Sequence, residues 1–280
     1  MDLTRKLPDG YVAPSEWPEF KNIITIPSFL YPKKIGRGRD MAWCLWPFSF
    51  ETYHSDTEPI FESPAPFSMP FRVVMWHRET YTHQKPKGWV AFRKRPESLI
   101  GFTDIQGIDE YDTLWSEGAR RDKKTFFTKY SNAFSIEKAE CGEFEKAYLM
   151  GTIRPILKHI LVQSEVKLHA KKNPGQTTFW VARRCSDKKI MAGMAILNSP
   201  ANKASYYLAG FYLKESRKIP LMTGIVDTWF NTSQKKGIRF MHFGVFYQPG
   251  DPASWKGYSN FKAKFGVQYV ARPPVLFKWI

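Results

Sequence analysis

Residues 204–246 read ASYYLAGFYLKESRKIPLMTGIVDTWFNTSQKKGIRFMHFGVF and contain two predicted strands with a helix between them. The first strand covers residues 204–213 and the second covers residues 238–246. Pro220 occupies the first-turn position that proline favours in helices, and apolar residues recur three or four positions apart after it. Gly237 is placed to cap the end of this helix, because glycine adopts the left-handed backbone of a helix C-terminus without strain. The stretch therefore predicts a strand–helix–strand unit.

The sequence on both sides of this unit predicts further strands. Residues 177–183 and 189–197 are strand candidates, and the second should pair with residues 204–213 as an antiparallel hairpin. A short helix over residues 253–264 and a terminal strand over residues 268–280 follow. This order predicts an α/β (α+β) fold, with a mixed, mostly antiparallel sheet flanked by helices.

The middle of the chain predicts two helices and one short strand. Residues 120–130 can be helical, and residues 134–137 form a strand candidate. Residues 143–163 have apolar side chains at helical spacing, with a kink or break expected at Pro155. Residues 167–175 are polar and basic, and we interpret them as a region that ends in a turn.

The first 110 residues differ in composition from the rest. Ten prolines lie within the first 70 residues, and because proline fixes φ and removes a donor, long helices are excluded there. Residues 41–50, 71–77 and 88–92 are strand candidates. We therefore predict a strand-rich N-terminal unit over residues 1–110 and a second domain over residues 111–280.

Charge and composition narrow the class of function. The chain has 42 Lys and Arg against 26 Asp and Glu, a net charge of +16, which favours polyanionic partners. Its three cysteines are far apart and form no C-x-x-C pair, and no secretory signal is evident, so we expect a cytoplasmic protein. The six histidines show no metal-ligand spacing, and no apolar run reaches the 18 residues of a membrane span. We expect neither a metal site nor a membrane span, and the oligomeric state stays open.

Three motifs resemble the C-terminal half of a GNAT-type acyltransferase domain, and in particular its Fem-type branch. They are Tyr206–Gly210, Lys236–Gly244 and Gly257–Gly266. The resemblance implies a GNAT-like fold over residues 111–280. Since Fem-type proteins often have two GNAT-like halves, it also implies that residues 1–110 are a reduced first half. The implied activity is acyl or aminoacyl transfer to an amine, and the implied donor is an aminoacyl-tRNA.

Candidate catalytic residues follow from this resemblance. In the family a Phe-Lys element lies beside the channel for the acyl donor, so Lys262 and Lys264 are candidates for stabilising the developing oxyanion. The alternative is an amphipathic turn with both lysines in solvent. His242 is a candidate proton acceptor at the end of a strand, and the alternative is a packed, hydrogen-bonded histidine.

Candidate substrate-binding residues surround the same motifs or carry positive charge. Those charges suit a donor phosphate or an anionic, nucleotide-linked acceptor, although such runs are usually solvated. The candidates are Phe261, Tyr258, Asn260, Tyr247, Arg217, Arg120 and Arg121.

The loop before the central helix bears on the identity of the donor. GNAT enzymes cradle the pyrophosphate of coenzyme A with a glycine-rich loop, whereas residues 214–220 have no glycine and Pro220 lacks an N–H. This argues against ordinary coenzyme A binding. Fem-type proteins also lack the glycine-rich loop, so the resemblance implies an aminoacyl-tRNA donor, with acyl-CoA as the other candidate. Two alternatives stay open: a non-catalytic, basic nucleic-acid-binding protein on a degenerate GNAT fold, and a CoA-dependent N-acetyltransferase.

Overall fold

The computed structural model describes residues 7–14, 17–21, 39–45, 48–54, 58–59, 70–78, 86–91, 98–151, 166–251, 253–272 and 275–280. The chain divides into two compact units. The smaller contains Met1–Thr4, Ile26–Ile100 and Val270–Ile280, and the larger contains Arg5–Thr25 and Gly101–Tyr269. The units therefore do not divide at residue 110. Both chain ends contribute to the smaller unit, and residues 5–25 belong to the larger one.

Twelve strands and six helices are present in the described residues. The strands are β1 (Arg39–Leu45), β2 (Phe48–His54), β3 (Phe71–His77), β4 (Val90–Ala91), β5 (Ser98–Asp104), β6 (Phe134–Ala139), β7 (Thr177–Arg184), β8 (Ile190–Ser199), β9 (Ala204–Tyr212), β10 (Phe240–Val245), β11 (Gln268–Arg272) and β12 (Leu276–Trp279). The helices are α1 (Pro18–Lys21), α2 (Glu117–Thr125), α3 (Cys141–Gly151), α4 (166–172), α5 (Leu221–Lys235) and α6 (Ser254–Lys262). A π-helical turn, Phe126–Tyr130, extends α2.

A seven-stranded mixed sheet forms the core of the fold, in the order β11-β5-β10-β9-β8-β7-β6. Strands β6 to β9 are antiparallel to their neighbours, and β10 is parallel to β9. The predicted hairpin is confirmed, since Ala192 pairs with Tyr212 and Ser199 with Ala204. Strand β8 is buried from Met191 to Ser199, as expected of a strand covered on both faces. The predicted mixed sheet flanked by helices is thus observed.

Helix α5 has the two ends that its sequence predicts. Pro220 is its N-cap residue. At the other end Gly237 has φ of +70°, its N–H donates to Gln234, and the N–H of Ile238 donates to Ser233. These bonds satisfy carbonyls that the helix leaves open, as in a Schellman cap. The buried face of α5 packs on the sheet, which fixes the loop that precedes it.

The smaller unit contains a five-stranded sheet in the order β1-β2-β3-β12-β4. Its core includes Tyr53, Val74, Trp76, Trp89 and Leu276. The predicted strand over 71–77 is confirmed as β3, and the one over 88–92 is reduced to β4.

Two strand predictions were wrong because each joined two strands into one. Residues 41–50 belong to β1 and β2, which pair as antiparallel neighbours, and residues 268–280 belong to β11 and β12 in different sheets. Prolines lie between the members of each pair in the sequence: Pro47 in the first, Pro273 and Pro274 in the second. A proline has no N–H for a ladder, so a single strand cannot run through it.

The predictions for the middle of the chain were correct in part. Strand β6 and the helix ending at Tyr130 are confirmed. Helix α3 confirms the start of the predicted helix 143–163, while Pro155 and its neighbours, residues 152–165, lie outside the described residues. The polar region 167–175 is helical up to residue 172, because Val166 and His169 share a buried face.

No helix among the described residues has the length and apolar character needed to cross a bilayer.

Candidate functional site

The central strands β9 and β10 separate partway along their length. Their paired register covers Ala204–Tyr206 of β9 and Phe240–His242 of β10. Strand β9 then continues to Tyr212 and β10 to Val245, beyond the paired register. A bulge in β9 lies just after the separation, since Ile196 pairs with Tyr207 and Ala195 with Ala209. Beyond the paired register, β9 contributes residues to the wall of a cavity, whereas Phe243 and Gly244 of β10 are buried.

The ammonium of Lys262 lies at this separation. Lys262 is the last residue of α6, and only 4% of it is exposed. Its Nζ donates to the carbonyl oxygen of Phe243 at 2.5 Å and to that of Val245 at 3.4 Å. These carbonyls flank Gly244, whose φ of +71° is a conformation that favours glycine. The unpaired end of β10 therefore holds the ammonium through backbone dipoles.

Aromatic rings enclose the other sides of this ammonium. The Nζ atom of Lys262 is 4.4 Å from the ring centroid of Tyr258, 5.3 Å from that of Tyr207 and 5.4 Å from that of Phe246. Ring faces attract cations, and the attraction is worth about 2 kcal/mol when both groups are desolvated.

No carboxylate forms an ion pair with Lys262 in the part of the chain that the structure describes. Burial lowers the pKa of the Lys262 ammonium to about 7, because removal from water disfavours the charged form. A buried, uncompensated ammonium is a feature of functional sites more than of protein cores.

A cavity of about 490 Å³ adjoins the unpaired part of β9. Its walls come from β9, the loop before α5, the first turn of α5, α6, the end of α3 and one side chain of α2. Tyr207 and Tyr258, whose rings lie 5.7 Å apart, form part of the wall and stand between the cavity and Lys262. Three glycines, Gly151, Gly210 and Gly257, also line it, and a Cβ at Gly257 would meet no atom within 4 Å. The cavity is large enough for the end of an extended ligand.

The loop before α5 presents charged side chains, and much of its backbone is already bonded. Lys214 and Arg217 are exposed and line the cavity. The N–H groups of Ser216, Arg217, Ile219 and Leu221 donate to carbonyls within the loop. Few amides are therefore left to cradle a pyrophosphate, as the absence of glycine predicts.

The structure brings together some of the predicted site residues. Arg217, Tyr258 and Phe261 line the cavity, and Lys262 lies directly behind its wall. Asn260 is exposed on α6 and does not line the cavity.

The other predicted residues lie elsewhere. Tyr247 is half-buried, and its backbone N–H donates to Ser259 Oγ at 2.7 Å. Arg120 donates to the carbonyl of Trp115 at 3.1 Å, while Arg121 is exposed on α2. None of these three side chains lines the cavity.

Lys264 is separated from Lys262 by its contacts. Its Nζ lies 3.4 Å from Oδ2 of Asp122 on α2, and both side chains are partly exposed. Its carbonyl accepts a hydrogen bond from the N–H of Ser116 at 2.8 Å. The two lysines of the Phe-Lys element therefore face different surroundings.

His242 is fully buried and packs among aromatic rings. The ring centroids of Trp17, Tyr11 and Phe102 lie 5.1, 5.3 and 5.7 Å from that of His242. The N-terminal segment supplies two of these rings. His242 does not line the cavity, which corresponds to the packed alternative named above.

Most residues of the cavity wall were not predicted from the sequence, among them Tyr207, Gly257 and Asp122. The first two stand inside the motifs of the resemblance, so their position was a usable signal. Asp122 is the one acidic residue within the run Arg120–Lys124, whose basic charge obscured it.

No protein-family model matches the chain, and no curated protein matches it. Solved structures do. FemX is similar over 90% of this chain and 88% of its own, with 9% identity and a TM-score of 0.58. L-PGS from Bacillus licheniformis is similar over 85% of this chain and 80% of its own, with 11% identity and a TM-score of 0.50.

The C-terminal domain of a putative lysylphosphatidylglycerol synthetase from Agrobacterium fabrum is similar over the same shares, 85% and 80%, with 12% identity and a TM-score of 0.51. At such identities the likeness establishes the fold alone. The chain therefore shares the fold of FemX and of these two synthetase structures, in agreement with the fold that the resemblance implied.

Proposed function

We propose that the protein transfers an acyl or aminoacyl group to an amine, and that Lys262 stabilises the oxyanion formed on the way. The observation that supports this most is the uncompensated ammonium of Lys262 at the separation of β9 and β10, behind Tyr207 and Tyr258 of the cavity wall. When protonated, an ammonium held by dipoles and ring faces has no neighbouring carboxylate to cancel its charge, so the charge stays available to a reacting group.

In the proposed reaction the donor's carbonyl carbon lies at the strand separation, with its oxygen toward Lys262. The unprotonated amine of the acceptor attacks this carbon, and the C=O π pair moves onto oxygen. The ammonium stabilises the resulting negative charge. Collapse restores the C=O bond, breaks the ester bond to the donor and leaves an amide, while the amine proton leaves and the departing oxygen is protonated. The cavity contributes by holding both reactants in position.

We propose aminoacyl-tRNA as the donor rather than acyl-CoA. The loop before α5 has no glycine, and the N–H groups of Ser216, Arg217 and Ile219 are bonded within it, which disfavours the cradle that a pyrophosphate needs. Lys214, Arg217 and the net charge of +16 suit a polyanion held by side chains.

The test is transfer of radiolabelled amino acids from a charged tRNA pool to a panel of primary amines. Because Lys262 acts across the rings of Tyr207 and Tyr258, Lys262→Met should lower the rate by about tenfold or more, where tenfold corresponds to ~1.4 kcal/mol of transition-state stabilisation. Lys256→Met, on the exposed face of the same helix, is the matched control and should leave the rate unchanged. Transfer by Lys262→Met at the wild-type rate would refute the role of Lys262. Transfer from acetyl-CoA but not from tRNA would refute the donor.

The second candidate is a nucleic-acid-binding protein without catalysis, favoured by the exposed basic side chains Arg121, Lys124 and Lys214. In both proposals tRNA binding should weaken steeply as salt rises, because bound counterions are released from the phosphates. tRNA binding that does not change between low and moderate salt would exclude a polyanionic partner in both proposals. Salt-dependent binding with no transfer to any amine would favour the second candidate.

A further inference from the structure

The cavity wall contains one acidic and two basic side chains. Of the described residues that line it, the acidic one is Asp122 and the basic ones are Lys214 and Arg217. Lys214 and Arg217 belong to the loop before α5, whereas Asp122 belongs to α2. The wall thus has two cationic side chains from one element and a carboxylate from another. The cations suit a polyanion, whereas the carboxylate has no role in binding one.

Helix α2 is held firmly in place, so the position of Asp122 is well defined. Lys123, the next residue, lies 2.9 Å from Asp112 Oδ2 and 2.8 Å from Asp227 Oδ1 of α5. The hydroxyl of Tyr111 also donates to Asp227 Oδ1 at 2.8 Å. This cluster, in which Asp227 is buried and Lys123 and Asp112 are half-buried, ties α2 to α5 and fixes the part of α2 that contains Asp122.

The ion pair of Asp122 with Lys264 is of the kind that a ligand can displace. The N–O distance is 3.4 Å, and the side chains are 36% and 42% exposed. Pairs at such exposure contribute little free energy, since water and salt compete for both charges. Lys264 can therefore leave Asp122 to another cation without disturbing the fold.

We propose that Asp122 recognises a primary ammonium group of the substrate, and that Lys264 occupies this carboxylate when the cavity is empty. The inference rests on the proposed function, whose chemistry offers two such groups. One is the α-ammonium of an aminoacyl donor, and the other is the ammonium of the acceptor before it loses its proton. Either would make Asp122 a specificity-determining residue.

Binding of small probes tests this without turnover. Puromycin, an aminoacyl-nucleoside with a free α-amine, and N-acetylpuromycin form the donor pair. 1,5-Diaminopentane and 1,5-pentanediol form the acceptor pair. Each is titrated by NMR against the wild type, Asp122→Asn, Lys264→Met and Asp187→Asn. Asp187 belongs to an exposed ion pair with Arg184 outside the cavity, so its variant is the matched control.

The variants should shift affinity in opposite directions. Asp122→Asn should weaken the amine of one pair about tenfold, and Lys264→Met should strengthen it severalfold because a competing cation is gone. The neutral partner and Asp187→Asn should show no change. An effect on puromycin assigns the α-ammonium of the donor, and one on diaminopentane assigns the acceptor.

Two results would overturn the proposal: amine probes that bind Asp122→Asn as tightly as the wild type, or a loss that is equal for the neutral probes. Unchanged thermal melting of both variants separates loss of the ammonium site from loss of the fold. Because no probe has to react, failure of the transfer assay refutes the proposed function while this binding result stands on its own.

Discussion

Replacing Lys262 by methionine should change how the stability of the protein depends on pH. Methionine has a similar length and no charge, so it removes the buried ammonium while filling most of its volume. Burial lowers the pKa of Lys262 from its ordinary value of 10.5 to about 7 in the folded chain. Between these two values the unfolded chain binds a proton that the folded chain has released. Raising the pH through this interval therefore stabilises the folded wild type, and the Met variant lacks this gain.

The size of this change in unfolding free energy follows from the difference between the two pKa values of Lys262. Each tenfold change in proton affinity corresponds to about 1.4 kcal/mol. Below pH 7 both states of the wild type carry the proton, and the full burial penalty of ~5 kcal/mol applies. From pH 7 to pH 9 about 2–3 kcal/mol of it is relieved. The two hydrogen bonds to Phe243 and Val245, each worth about 1 kcal/mol, offset part of the penalty at every pH but add no slope.

Urea unfolding at pH 6, 7, 8 and 9 measures this difference. The unfolding free energy of the wild type minus that of Lys262→Met should be constant below pH 7 and rise by 2–3 kcal/mol by pH 9, a range set by the same proton linkage, ~1.4 kcal/mol per pH unit. Lys256→Met, with an exposed side chain, should run parallel to the wild type throughout. Parallel curves for Lys262→Met and the wild type would refute the burial of a titrating ammonium.

Further predictions concern the site and its support. The transfer rate of the wild type should fall above pH 7, because stabilisation of the oxyanion requires protonated Lys262. Lys262→Arg should move this fall to higher pH, because a guanidinium stays charged. A pH–rate profile of each protein measures both effects. Gly257→Ala should stabilise α6 by up to about 1 kcal/mol, because alanine has the higher helix propensity and its Cβ meets no neighbouring atom. Gly257→Phe should abolish puromycin binding with little change in melting temperature, since the new side chain enters the cavity. Asp227→Ala should cost about 2 kcal/mol in urea unfolding, because it removes the buried carboxylate that binds Tyr111 and Lys123 and leaves them only the backbone carbonyl of residue 227 and Asp112. Asp187→Ala at an exposed pair should have no measurable effect.

The fold could be predicted wherever local sequence decides it. Helix α5 was predicted with both ends, because proline and glycine act on their own backbone and the apolar spacing is regular. The hairpin of β8 and β9 was also predicted, because two strand patterns joined by a short turn sequence are adjacent in the chain. Strands β11 and β12 were predicted as one, because nothing local says which sheet each of them joins.

The site was predictable to a smaller degree. Lys262 came from a resemblance that places a lysine beside the donor, and its burial behind Tyr207 and Tyr258 could not be read from the motif. The role of Asp122 could not be predicted from the sequence, because its partner Lys264 is 142 residues away in the chain and only packing brings them together. Contacts of this range depend on how α2 docks on α5, which the pattern of charges in the sequence does not specify.

The way in which Lys262 is held links its energetic cost to its proposed use. A carboxylate beside Nζ would stabilise the ammonium far better than two carbonyls and three ring faces do. Such a partner would also cancel most of the field that a developing oxyanion meets. Backbone dipoles and ring quadrupoles fix the position of the charge and leave its sign uncompensated. Burial of Lys262 without a carboxylate partner therefore both lowers its pKa and leaves its electric field available to the reaction. A variant that relieves the burial penalty should also lose this field.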